Sequence, residues 1–173
     1  MIRPAVAEDA AALAALYGGF VRESSASFET EAPDAEVMAE RLAEVRCHRL
    51  PWLVFEQQGE LLGFAFATPW KSRQAYARSV EASVYVQAEA HGRGIGSQLF
   101  AALLEHLTRL QIHAVVGGIA LPNPVSIALV EKFGFEKVAH FREIGRKFDR
   151  WVDVAYWQRL LPPASSKDVD VEA

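Results

Sequence analysis

The run Ser83-Val84-Tyr85-Val86, followed by His91-Gly92-Arg93-Gly94-Ile95-Gly96-Ser97-Gln98-Leu99, constrains this chain more than any other stretch. The first part is strand-forming. The last part opens a helix in which Leu99, Leu103, Leu107 and Leu110 recur on one side. Between them, glycines let the backbone turn tightly and approach a ligand with no Cβ in the way. The unpaired N–H groups and partial positive charge of the helix start favour a phosphate or pyrophosphate there, and Arg93 adds positive charge at the mouth. Two common phosphate loops do not fit. A dinucleotide fingerprint counted from Gly92 needs its third glycine where Ser97 stands, and a P-loop needs a lysine that is absent. A purely structural strand-to-helix turn stands beside the ligand-binding reading.

Around this segment helical and strand patterns alternate, which gives a mixed α/β or α+β domain. Met1 to Pro4 reads as a short strand. Glu8 and Asp9 sit where acids favour a helix start, and Leu13, Leu16, Tyr17, Phe20 and Val21 follow at helical spacing. Pro33-Asp34 opens a second helix with Met38, Leu42 and Val45 on one face. Trp52 to Phe55 and Leu61 to Ala67 flank Gln57-Gln58-Gly59-Glu60 as a hairpin. Ser79 to Gln87 is a strand, Ala114 to Ile119 a buried strand and Ser126 to Phe133 a helix. Two further strands run from Phe135 to about Leu160. Residues 1–161 read as one domain, and 162–173 as a polar, disordered tail set off by Pro162-Pro163.

Eighteen Lys and Arg against 22 Asp and Glu give a net charge of -4, which argues against nucleic acid as a partner. The single cysteine, Cys47, excludes an intramolecular disulfide framework and a multi-cysteine zinc site. The five histidines show no metal-ligand spacing, so no metal is expected. No apolar run reaches membrane-spanning length and the N-terminus does not read as a signal peptide, so the expected setting is cytoplasmic.

Ser83 to Leu99, with Asn123 and Phe133-Gly134-Phe135, resembles the acyl-CoA-binding core of the GNAT superfamily of N-acetyltransferases. The superfamily pattern Gln/Arg-x-x-Gly-x-Gly/Ala appears here as His91-x-x-Gly94-x-Gly96. The first position departs, so the resemblance carries over the backbone cradle and no specific role for His91. Further blocks resemble the phosphinothricin N-acetyltransferase branch. They are Ser27-Phe28-Glu29-Thr30-Glu31, Pro51 to Val54, Pro69 to Tyr76, Glu81 to Val86, Leu121-Pro122-Asn123 and Trp151 to Val154, in the branch's order.

The resemblance implies a GNAT fold, acetyl-CoA as co-substrate, and direct acetyl transfer to the α-amine of a small amino-acid-like acceptor. Phosphinothricin, methionine sulfoximine and methionine sulfone are of this kind. It implies backbone contacts to the cofactor from Val84, Tyr85 and Val86, a pyrophosphate cradle of Gly92, Arg93, Gly94, Ile95, Gly96 and Ser97, and a homodimer. Glu81 interrupts an otherwise uncharged strand, where a lone acid is either a solvated residue or, as the branch match implies, the general base. Alternation puts Glu81, Ser83 and Tyr85 on one strand face and Val80, Ala82, Val84 and Val86 on the other. Asn123 before Pro124 reads equally as a helix cap and as a CoA contact.

For the acceptor, Lys71 and Arg73 share a side of an extended segment and, with Trp70 and Tyr76, form a basic, aromatic-edged patch suited to a small anion. The same patch argues against a polyamine. Phe28 is expected to be an aromatic wall of this substrate site. The helix after Asn123 lacks the tyrosine with which many superfamily members protonate the departing thiolate. Phe148 stands where phosphinothricin-specific members can carry histidine, implying a more apolar wall suited to methionine sulfoximine or methionine sulfone. Acetylation of another amine, such as a polyamine or a protein N-terminus, and a non-catalytic acyl-CoA-binding module are the alternatives. Indifference to Glu81→Gln would mark the module.

Overall fold

The computed structural model describes residues 1–163, so the tail expected over 162–173 lies outside the described residues from 164 onward. Strands β1 (Ile2–Pro4), β2 (Trp52–Gln57), β3 (Glu60–Pro69), β4 (Ser79–Val86), β5 (Ala114–Ala120), β6 (Glu136–Lys147) and β7 (Arg150–Leu160) form one mixed sheet. Their order across it is β1-β2-β3-β4-β5-β7-β6. Every neighbouring pair is antiparallel except β4 and β5, which the crossover helix α3 (Ile95–Arg109) makes parallel. Helices α1 (Ala10–Glu23) and α2 (Ala35–Cys47) cover one face, and α3 with α4 (Pro124–Lys132) the other.

β3 lies inside the sheet and is covered on both faces, which is why Leu61 to Ala67 reads as an almost unbroken apolar run. Ala65 and Ala67 meet α3, whereas Phe64 and Phe66 meet α1 and α2. Leu99, Leu103 and Leu107 are fully buried, each worth about 1.5–3 kcal/mol of apolar burial. Leu110, expected on the same stripe, is exposed instead. The helix ends at Arg109, and Leu110 occupies its C-cap as the chain turns away. Asp34 caps α2 by accepting from the Val37 N–H. Asp9 is committed elsewhere. Its carboxylate takes Arg3 of β1 through two hydrogen bonds of 2.7 and 2.8 Å and also accepts from the Val6 N–H, tying the first strand to α1. The guanidinium of Arg3 holds Asp9 below the usual carboxylate range.

Candidate active site

The parallel pairing of β4 with β5 is short. It runs from Ser79 opposite Ala114 to Glu81 opposite Val116 and stops there. Beyond that point β4 stays paired to β3 as far as Val86, while β5 stays paired to β7 as far as Ala120. The two strands therefore part, and a wedge opens between edges that have no ladder partner. Glu81 stands at its apex. The register of β3 on β4 is unbroken, so the alternation expected for β4 is what the fold shows. Val80, Ala82, Val84 and Val86 pack toward α3, and Tyr85 packs on the α1 face.

At the open end of the wedge lies the glycine loop. Gly92 (φ 74°) and Gly94 (φ 77°) adopt the left-handed conformation that side chains disfavour. Gly94 is the N-cap of α3 and no side chain caps it, which leaves the first-turn N–H groups of the helix free for an anion. Ile95 is buried and anchors that turn, whereas Gly96 sits against Val86 and Leu129. Arg93 is exposed and hydrogen-bonds Gln57, and Lys132 reaches Ser97 Oγ at 3.0 Å, adding a cation that motif reading missed. His91, at the departed motif position, pins the loop to the strand through Nε2 and the Val86 carbonyl at 2.8 Å. An extended amide-bearing chain ending in a pyrophosphate fits this arrangement, with sheet edges beside it and a capless helix start at its end. Acetyl-CoA, the donor implied by the resemblance, has that shape. Asn123 caps α4 by accepting from the Ser126 N–H at 3.0 Å.

On the α1/α2 face, the apex of the wedge opens into a cavity of about 350 Å³ walled by Phe28, Glu81, Gly118, Phe141, Ile144 and Tyr156. Burial pushes the Glu81 carboxyl above its ordinary value, while the charge of Lys71 and the Gly118 backbone N–H pull it back in part. Gly118 is the close approach that makes this possible. A Cβ placed there would lie 2.9 Å from Glu81 Oε1 and 3.0 Å from the Tyr156 ring, so carboxylate and ring converge over one glycine. Burial, with the Glu81 charge beside it, raises the Tyr156 hydroxyl, and the ring sits edge-on to Trp70 and Phe141. Phe28 lies against Gly145, where a Cβ would be 2.1 Å from its ring.

The loop carrying Phe28 is held from several sides. Lys147 Nζ, buried, donates to the carbonyls of Ser24 (2.9 Å) and Ser27 (2.6 Å). Tyr17 donates to Glu29 at 2.8 Å and pairs with Ser27 Oγ at 2.7 Å, and Arg41 grips the Glu29 carboxylate with both terminal nitrogens. Across the cavity, β6 bulges between Phe141 and Gly145, and Asp153 pins the bulge by accepting from the Glu143 N–H and His140. That bulge presents Phe141 and Ile144 to the cavity.

The structure thus brings Glu81 and Phe28 together. Lys71 lies over the Trp70 ring at the margin, its charge bearing on Glu81. Arg73 and Tyr76 are exposed on a short turn between β3 and β4 and do not line the Glu81 cavity. The Tyr85 side chain is half-buried against Tyr17, Phe20 and Phe64. The β3–β4 register, in which Gln87 two residues on donates to the Leu62 carbonyl, turns the Tyr85 backbone groups to β3, leaving Val84 and Val86 to face the wedge. Phe148 sits at the tip of the β6–β7 hairpin, away from the cavity. Gly118, Gly145, Lys147 and Tyr156 were not singled out from the sequence. Gly117-Gly118 inside a buried strand was the one visible signal among them.

Among the described residues, no helix is long and apolar enough to cross a membrane, and no group of three or more His, Cys, Asp and Glu is placed to hold a metal. Residues 2–156 match the model of the acetyltransferase (GNAT) domain family. The chain is 42% identical over 163 residues to a phosphinothricin N-acetyltransferase of Streptomyces coelicolor, covering 92% of this chain and 95% of that protein. It is 32% identical over 170 residues to an L-methionine sulfoximine/L-methionine sulfone acetyltransferase of Salmonella typhimurium, covering 96% and 98%. A phosphinothricin acetyltransferase from Sinorhizobium meliloti, solved in complex with AcCoA, superposes with a TM-score of 0.90 at 33% identity, covering 93% of this chain and 88% of that one. With this match spanning wedge, glycine loop and cavity alike, the chain belongs to the GNAT superfamily, as an acetyl-CoA-dependent N-acetyltransferase.

Proposed function

We propose that the chain acetylates the α-amine of a small amino-acid-like acceptor, of the phosphinothricin, methionine sulfoximine or methionine sulfone type, with Glu81 as general base. The observation that carries this reading is the Glu81 carboxylate at the apex of the wedge, facing a cavity of about 350 Å³. Bound acetyl-CoA supplies the activated acetyl group. Glu81 takes the proton that an α-ammonium must lose, directly or through one water, and its raised pKa matches it better to that task near neutrality. The edge of β4 from Val84 to Val86 orients the donor, and its N–H groups polarise the carbonyl. The capless turn Gly92 to Ser97 holds the pyrophosphate. Phe28, Phe141 and Ile144 exclude water from the acceptor, and proximity supplies several kcal/mol of the barrier.

Lys71, with Arg73 and Tyr76 on the same connection, supports an anionic acceptor and disfavours a polyamine. The exposed apolar residues Ile144, Phe148 and Trp151 along the β6–β7 hairpin support a homodimer, in which surfaces exposed in one chain are covered. Detoxification of such amino acids would follow from this activity.

The test is release of CoA thiol from acetyl-CoA with phosphinothricin, methionine sulfoximine, methionine sulfone, natural amino acids and spermidine, with Glu81→Gln in parallel. Turnover of one of the three modified amino acids, lost in the variant while acetyl-CoA binding persists, is the expected result. Full activity of Glu81→Gln would remove the base assignment. Acetyl-CoA binding without turnover of any amine would favour the non-catalytic module.

A further inference from the structure

Beside the Glu81 cavity, on the same face of the sheet, lies a larger one of about 500 Å³ between α2 and strands β2 and β3. Its floor is aromatic. Trp52 and Phe66 stack with centroids 4.2 Å apart, and Phe64 continues the stack at 5.8 Å from Trp52. Met38 and Val45 of α2 close it from above. The Trp52 indole N–H, on a residue only 7% exposed, is buried with no hydrogen-bond partner among the described residues.

The two cavities adjoin. Thr68, which lines the larger, is the direct cross-strand partner of Glu81, which lines the smaller, and such partners share a sheet face. Phe28 walls one and Glu29 the other, so the loop between α1 and α2 runs along the boundary. At the rim Arg41 is already committed to Glu29 at 2.8 Å. Lys71 also lines this cavity and forms no ion pair among the described residues, while its charge bears on Glu81 next door. A mostly apolar space of this size, edged by the Lys71 cation and, on the α2 side, by the Glu44 carboxylate, has the make-up of a small-molecule site.

We infer that the larger cavity is a second compartment of the acceptor site, which takes the aromatic or long apolar side chain of an amino acid whose carboxylate rests on Lys71 and whose amine faces Glu81. The inference rests on the acceptor reading above and extends it. Glycine leaves this compartment to water, whereas a phenylalanine or tryptophan ring continues the Trp52–Phe66 stack.

The experiment compares kcat/KM for L-phenylalanine and L-tryptophan with that for glycine, and adds calorimetric titration with 3-phenylpropionate, which has the ring and carboxylate but no amine. Val45→Phe fills the compartment from α2, and Lys71→Met removes its cation at an exposed position. The expected result is an aromatic-to-glycine ratio of at least tenfold that falls at least tenfold in Val45→Phe, whereas Lys71→Met lowers kcat/KM for glycine and the aromatic amino acids alike, at least tenfold, and both variants weaken 3-phenylpropionate binding. If methionine sulfone is acetylated but the ratio is at or below one, or Val45→Phe does not move it, the compartment is refuted and the acceptor reading stands. If no amine is acetylated, the acceptor reading falls and calorimetry alone decides. Binding of 3-phenylpropionate weakened by Val45→Phe keeps the compartment, and no binding, or binding that Val45→Phe leaves unchanged, removes it.

Discussion

Replacing Gly118 with alanine separates stability from catalysis in this fold. Gly118 has an ordinary β backbone, so alanine adds no conformational strain, and its outward face opens on the Glu81 cavity. The new methyl would sit 2.9 Å from Glu81 Oε1 and 3.0 Å from the Tyr156 ring, where ordinary contact begins near 3.4 Å. The carboxylate is the far end of a flexible side chain and retreats by about 0.5–1 Å, and the Tyr156 ring gives by a few tenths of an ångström, together at modest cost to folding. The reduced entropy of the unfolded chain offsets part of even that, by roughly 0.4–1 kcal/mol. Catalysis has no such slack, because a displacement of about 1 Å can cost 10²-fold in rate. We expect kcat to fall about 10- to 100-fold, equivalent to roughly 1.4–2.7 kcal/mol of barrier. The melting temperature should stay close to that of the parent, and KM for acetyl-CoA should be unchanged because the glycine loop is untouched. Thiol release under saturating acetyl-CoA and a thermal melt read both quantities. Undiminished kcat in a folded Gly118→Ala protein would refute the placement of the reacting amine at this carboxylate.

Three further outcomes follow from the same geometry. Burial raises Glu81 above its ordinary value near 4.5, so the native state holds a proton that the unfolded chain has released. Stability therefore falls as pH rises from the ordinary to the raised value and levels off above it. Glu81→Gln, which cannot ionise, should melt higher than the parent near neutrality and alike at acid pH, and should lack the rising acid limb of the parent's kcat/KM profile; an equal melting temperature at neutral pH would contradict the burial cost. Lys147→Met leaves the Ser24 and Ser27 carbonyls without their donor and should cost roughly 2–4 kcal/mol in urea unfolding. In the fraction that folds, KM for the acceptor should rise more than KM for acetyl-CoA. Asn123→Ala should destabilise by about 1 kcal/mol through its lost cap, and a several-fold rise in KM for acetyl-CoA beyond that would give the residue a cofactor contact as well.

Much of this architecture was legible because it is local. The hairpin around Gly59, the buried run Leu61 to Ala67, the leucine stripe of α3 and the glycine loop each carry their signal within a dozen residues. The alternation of β4 likewise placed Glu81 opposite the valines without reference to any neighbour. The composition of the cavity was a different matter, because it depends on register between distant strands. Nothing near Tyr156 says that it pairs with Gly118, and nothing near Gly145 says that a ring from residue 28 packs on it. Lys147 reads as one more surface cation until the loop it holds is folded over it. Leu110 failed for a simpler reason, since a stripe is meaningful only as far as its helix extends.

The reach of Lys147 also says something about how the molecule comes to be active. Its two loop contacts span 120 and 123 residues, so they are among the most distant in the chain and carry a high loop-closure entropy. The wall that Phe28 provides is therefore assembled only when the β6–β7 hairpin docks on a loop made near the beginning of synthesis. During translation β4 and α3 emerge well before the β6–β7 hairpin, and displacing that hairpin would take Phe141, Ile144 and Tyr156 away from the cavity around Glu81.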